Sequence, residues 1–167
     1  MKIIYRIILL IVALTVVGCA TYNSENKILN SAFYPEVSQG RKANWKNLVG
    51  TWYGSQKTKD GGKYSWIIKK NIQGLYQLEG KVMGPSGESK TQIEVGEWGV
   101  GKSIYFSIFK GWLEKGKFVA SDPSDPYNRD IYKILELSET KFKYQHIDNG
   151  ETFEVERVAD DFKIPSN

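Results

Sequence analysis

The chain has 167 residues, 23 basic and 19 acidic side chains, a formal net charge of +4 and 13% aromatic residues. That length suits one domain with a real core, and the small, scattered basic excess argues against a nucleic-acid partner. A single cysteine rules out an internal disulfide, so the fold stands on its apolar core.

The chain opens MKIIYRIILLIVALTVVGC. Lys2 and Arg6 give a positive start, and Ile7 to Val17 is apolar apart from Thr15. This is the pattern of a secretory signal, too short to span a bilayer comfortably. Val16-Val17-Gly18-Cys19 resembles a bacterial lipobox. The resemblance implies a signal peptide over 1–18, cleavage after Gly18, and a diacylglycerol thioether with an acylated amine on Cys19. The alternative is a plain signal peptide or an N-terminal membrane helix with an incidental cysteine. A lone exported thiol is a liability unless paired or modified, which favours lipidation of Cys19. Each buried CH₂ of the acyl chains contributes about 0.8 kcal/mol to membrane binding. Ala20 stands where lipoproteins kept in the inner membrane often have Asp. By that resemblance the expected location is the outer membrane, facing the periplasm.

Residues 20–44 lack sustained periodicity and read as a tether between the lipid and a domain over 45–160, with a short tail at 161–167. Asn44 to Asn47 suits one helical turn. From Leu48 the chain alternates strand and turn. Leu48–Lys57 is followed by the turn Lys59-Asp60-Gly61-Gly62, and Tyr64–Lys70 sets Tyr64, Trp66 and Ile68 on one face. Leu75–Met83 sets Tyr76, Leu78 and Val82 on one face, and Gly84-Pro85-Ser86-Gly87 turns again. Lys90–Trp98 starts with Thr91, Ile93 and Val95 together, and Trp98 then joins the other face, which predicts a bulge at Gly96. Ser103–Lys110 is apolar on both faces. Phe118–Ala120 suits a short strand, Asp122–Asp130 a loop, and Ile131–Leu137, Lys141–Asp148 and Thr152–Val158 the last three strands. Asn149-Gly150 predicts a tight hairpin with positive φ at both positions. Eight or nine strands at this spacing, with no long helical period, predict an all-β, antiparallel, up-and-down barrel, because closure removes exposed edges.

Leu48-Val49-Gly50-Thr51-Trp52-Tyr53-Gly54 resembles the opening of lipocalin and wider calycin barrels. Those families place a Gly-x-Trp on the first strand after a turn of helix, with an Arg or Lys from the last strand packed over the Trp. The resemblance implies that Trp52 and Arg157 close one end of the barrel, cation over ring within about 6 Å. The Gly-Thr-Trp-Tyr-Gly opening, the central Gly-Glu-Trp-Gly and the Asp-Pro-Tyr-Asn loop also resemble bacterial lipocalin-like lipoproteins. The function this implies is binding of a small apolar or amphipathic ligand, held by Tyr64, Trp66, Ile68, Tyr76, Leu78, Tyr144 and His146. Those aromatics, with Phe106, either line a cavity or fill a solid core.

His146 is the only histidine. Nitrobindin-like barrels share Gly-x-Trp-x-Gly and bind haem through a histidine, but the next glycine expected is Gln56 here, and a hydrogen-bonded His146 is the preferred reading. Asp122, Asp125, Asn128 and Asp130 lack the spacing of a calcium loop, so no metal or other cofactor is expected. One histidine and no Gly-x-Ser-x-Gly leave no nucleophile–base set, and Glu94/Glu97 and Glu154/Glu156 read as solvent-facing, so the expectation is a non-enzyme. Gly-Val-Gly-Lys at 99–102 lacks the spacing of a phosphate loop. The competing function is a filled barrel that recognises an envelope component or an exogenous enzyme through loops around Trp112 and Tyr127.

Overall fold

The computed structural model describes residues 39–165, with side chains from Asn44 onward. Cys19, the lipobox and the rest of the expected signal and tether up to Ser38 lie outside the described residues. The elements run α1 (Gln39–Leu48), β1 (Gly50–Lys57), β2 (Lys63–Lys70), β3 (Leu75–Met83), β4 (Ser89–Gly101), β5 (Ile104–Glu114), β6 (Lys117–Ala120), a 3₁₀ turn (Pro126–Asn128), β7 (Arg129–Leu137), β8 (Lys141–His146) and β9 (Thr152–Val158). No described helix is long and apolar enough to cross a membrane.

All strand pairings are antiparallel. The order β4-β3-β2-β1-β9-β8-β7-β5 closes on itself through β4–β5, giving an eight-stranded barrel, and β6 is a ninth strand added beside β5. β5 is long enough to share one edge between two partners: Ile104–Ile108 pair with β7 and Gly111–Glu114 with β6. The first strand meets the last from Thr51↔Val158 to Gly54↔Val155.

Strand alternation sends one row of each strand inward. The deepest inner residues are Trp52, Trp66, Ile68, Tyr76, Trp98, Tyr105, Phe142, Tyr144 and Val155, each less than 9% exposed. Three inner positions are glycines facing a ring on the neighbouring strand: a Cβ at Gly54 would enter the Trp66 ring, one at Gly80 the Tyr64 ring and one at Gly96 the Tyr76 ring. Glycine thus makes room for aromatic side chains that a small barrel would otherwise be too narrow to hold.

Several expectations change. The helix begins at Gln39, inside the stretch read as tether, and takes in Leu48, which is fully buried. β4 does not slip against β3, whose ladder runs unbroken from Leu75↔Glu97 to Met83↔Ser89. The irregularity at Val95/Gly96 is on the β5 side, where Lys110 is the extra residue. Glu94, Gly96, Trp98 and Val100 therefore share the inner face, and Ile93 and Val95 face outward. Trp98 decides this parity: its ring stacks on Trp45 of α1 at 4.4 Å and its indole N–H donates to Leu75 O at 3.1 Å. β5 runs on to Glu114, so Trp112 is a strand residue, and the hairpin to β6 turns at Lys115-Gly116, both with positive φ. β8 ends at His146, two residues early. At the following turn Gly150 has φ +73° and Asn149 stays out of that region, its side chain accepting from Glu151 N at 2.8 Å.

Candidate functional site

The closed end is built on the Gly50–Gly54 stretch, each residue of which has a partner. Gly50 has φ +125°, and a Cβ there would strike the Arg157 guanidinium. Thr51 faces outward and donates to Asp160 Oδ1 at 2.6 Å. Trp52 faces inward, fully buried, and its indole N–H donates to Leu48 O at 2.9 Å. Tyr53, facing outward, packs on Phe162 at 5.0 Å. Gly54 receives the Trp66 ring.

Arg157 Cζ stands 4.3 Å from the Trp52 ring centroid. Its Nη1 donates to Val49 O at 2.7 Å, Nη2 to Asn47 O and Nε to Glu139 O. The guanidinium thus caps carbonyls at the C-terminal end of α1, where the helix dipole favours a cation. One side chain ties together the helix, the first strand and the last, and Trp45 and Trp98 continue the floor beside it.

Above the floor the rings meet one another. Phe142 stacks on Tyr144 at 4.4 Å, Tyr144 on Phe153 at 5.3 Å and Tyr105 on Tyr132 at 5.4 Å, and Trp52 and Tyr105 meet Phe142 edge-on at 6.0 and 5.4 Å. Of the seven residues expected to hold a ligand, Trp66, Ile68, Tyr76 and Tyr144 are buried among these rings. Tyr64, Leu78 and His146 are half-buried and lie nearer the open end. Phe106 does not belong with them: it faces outward, 39% exposed, across from Ile131 with its ring over Gly99.

Lys70, two residues beyond Ile68, also points inward and is 4% exposed. Its ammonium sits over the rings of Tyr105, at 4.8 Å, and Phe142, at 5.2 Å. Burial, helped by the nearby charge of Arg157, pushes this lysine down to about 7.

In the open half, Glu94 is level with Leu78 on one side and Trp112 on the other, so it faces inward and is half-buried. This corrects its reading as a solvent-facing partner of Glu97. Glu97 does face out, bridged to Lys110 at 3.3 Å, and Glu154 lies outside between Lys141 and Lys143. Burial raises the Glu94 carboxyl; the hydrogen bond from Gln92 opposes this and the charge of Asp130 adds to it. Burial also pushes the Tyr64 phenol up to about 12, with the charge of Glu94 adding to the effect.

His146 Nε2 lies 3.2 Å from Asp130 Oδ1, its Nδ1 accepts from Asp148 N at 3.2 Å, and its ring meets Tyr132 edge-on at 5.1 Å. The Nδ1 contact assigns the proton to Nε2, which donates to Asp130. Both nitrogens are engaged, so His146 does not fit an iron ligand without breaking this arrangement. The loop acids are engaged as well: Asp122 accepts from Ser124 and Asp125 from Tyr127 N, while Asn128 donates to Asp122 O. With Asp130 turned inward, the four do not converge. Among the described residues no cluster of three His, Cys, Asp or Glu suits a metal ion.

A cavity of about 760 Å³ is a groove on the outer wall between Asp160 and Phe118, bordered by Thr51, Lys69, Gln77 and Val95. The inward placement of Lys70, Glu94 and Trp112 escaped the sequence reading, which set Glu94 in solvent and Trp112 in a loop. Their signal was parity: Lys70 continues the Tyr64, Trp66, Ile68 row, and Glu94 shares parity with Trp98.

No protein-family model matches the chain, and no curated protein matches it. Among solved structures it is similar to a lipocalin-like protein from Bacteroides uniformis, at 16% identity and a TM-score of 0.38, over 66% of this chain and 97% of that one.

Proposed function

We propose that the protein is a lipid-anchored binding protein of the cell envelope that takes a small apolar or amphipathic ligand into the open half of its barrel. The supporting observation is the asymmetry of the interior. One end is sealed by Trp52, Arg157 and α1, whereas towards the other Glu94 stays half-buried on the inner face with no ion-pair partner among the described residues. A partly desolvated polar group beside aromatic walls is what orients a ligand in an otherwise apolar site. The reading is of capture rather than catalysis, with Trp112, Tyr64, Leu78 and His146 as the nearest walls. Anchoring rests on Cys19, and the Ala20 that follows it favours the outer membrane, facing the periplasm.

Native mass spectrometry of the purified protein tests the binding claim: a co-purified small molecule, or a saturable tryptophan quench that Trp112→Phe removes, is the expected result. Cys19→Ala should abolish labelling by radioactive palmitate; continued labelling overturns the anchor. The ring packing around Tyr144 favours a second reading, the filled barrel whose partner is an envelope component or an exogenous enzyme. Tyr127, 90% exposed, and Phe118, 56% exposed, then carry the contact. Loss of partner capture on Tyr127→Ala, with no small molecule found, would select it.

A further inference from the structure

Charge is divided along the inside of the barrel. Lys70 and Arg157 lie towards the closed end, and the half-buried inward acids and histidine of the open half are Glu94, Asp130 and His146, with Lys90 exposed at the rim on the row of Glu94. Asp130 is answered by His146. Glu94 is in no ion pair among the described residues and accepts one hydrogen bond, from Gln92 Nε2 at 3.2 Å. It stands across from Trp112, against whose ring Phe109 packs at 4.6 Å. Tyr76, 7% exposed, follows on the same inner row one step towards the closed end, paired with Gly96. Burial raises the Tyr76 phenol, and the charges of Glu94 and Asp130 add to that.

We propose that this site takes an organic ammonium ion, its N–H groups on Glu94 and its carbon body against Trp112 and Phe109. The proposal deepens the ligand-binding reading and rests on it. An ammonium supplies the counter-charge that Glu94 lacks, and aromatic faces attract a cation. A carboxylate would meet like charge from Glu94 and Asp130, and a neutral ligand would leave Glu94 desolvated without compensation.

Three probes of one shape and different charge decide it: phenethylamine, 2-phenylethanol and phenylacetate, titrated into the full chain at pH 8 by calorimetry. The expected result is phenethylamine at least tenfold tighter than the alcohol, with phenylacetate weakest. In Glu94→Gln the tenfold preference should disappear while alcohol binding is kept. Equal affinity of amine and alcohol, or tightest binding of phenylacetate, overturns the ammonium proposal and leaves the ligand-binding reading standing. No binding by any probe removes both. Should Glu94→Gln not fold, the ranking on the unaltered chain decides alone.

Discussion

Arg157 shows what one side chain can hold. Lysine at that position keeps the charge but has no fork with which to reach carbonyls on Asn47, Val49 and Glu139 together. Leaving a partly buried carbonyl unpaired costs about 1–3 kcal/mol, so Arg157→Lys should lose about 2 kcal/mol in urea unfolding followed by tryptophan fluorescence. Lys70 makes the opposite case. Its folded value is about 7, against about 10.4 for an unfolded lysine. Between these values the unfolded chain holds a proton that the folded one has released, so stability rises with pH. Below about 7 both states are protonated and the burial penalty is fully present. Stability should therefore increase from pH 7 to pH 9. Lys70→Met should remove that slope and be more stable at pH 7 by about 1–3 kcal/mol, as apolar replacement of a buried charge often is. The first of these residues was legible in the sequence because family resemblance and alternation agreed on an inward Arg157. Lys70 was not, because a lysine at a strand end reads as solvated until the neighbouring strands are known to bury it.

At the scale of elements, legibility followed the strength of local turn chemistry. The hairpins at 58–62 and 84–88 stood where glycine clusters put them. β4 was ambiguous because two apolar sets, Ile93 with Val95 and Trp98 alone, lie on opposite faces, and only the docking of Trp98 on Trp45 selects between them. The helix over Gln39–Leu48 offered no apolar stripe to read. The C-terminal tail was also undervalued: Asp160 and Phe162 hold it across the outside of β1, and its main chain takes Lys69 Nζ at 2.8 Å. Ile67 faces outward on the adjoining strand and is still only 3% exposed. Phe162→Ala should cost about 1–3 kcal/mol through lost apolar burial. In a domain of this size that lowers the thermal midpoint by several degrees, about 4 °C per kcal/mol, and circular dichroism melts check it.

For the molecule as a whole, the all-β barrel was legible from strand count and spacing, and the degree to which its interior is filled was not. Inward aromatics are needed equally by a chamber and by a solid core. What separates them is ring-to-ring distance across the barrel, which depends on strand tilt and on Gly54, Gly80 and Gly96 admitting large neighbours. Those glycines make a further expectation. Gly54→Ala puts a methyl into the Trp66 ring, and overpacking of a tight interior costs about 1–3 kcal/mol. The loss should appear in urea unfolding, together with an altered Trp66 fluorescence maximum.

The seam between β1 and β9 has a consequence in time. The other ladders join strands next to one another in sequence, apart from β5–β7, which skips the short β6. Thr51 and Val158, by contrast, come from opposite ends of the domain. Long loops are slow to close, and non-local pairings form after local ones. The last event in building the barrel should therefore be the arrival of β9 against β1, with Arg157 settling on Trp52 as the latch. Interactions absent from the rate-limiting barrier alter escape from the native state and leave entry to it unchanged. Stopped-flow chevrons of Arg157→Lys should accordingly show a faster unfolding limb over an unmoved refolding limb, a φ-value near 0. A slowed refolding limb would instead make the latch the nucleus, and the ring would be closed first and filled afterwards.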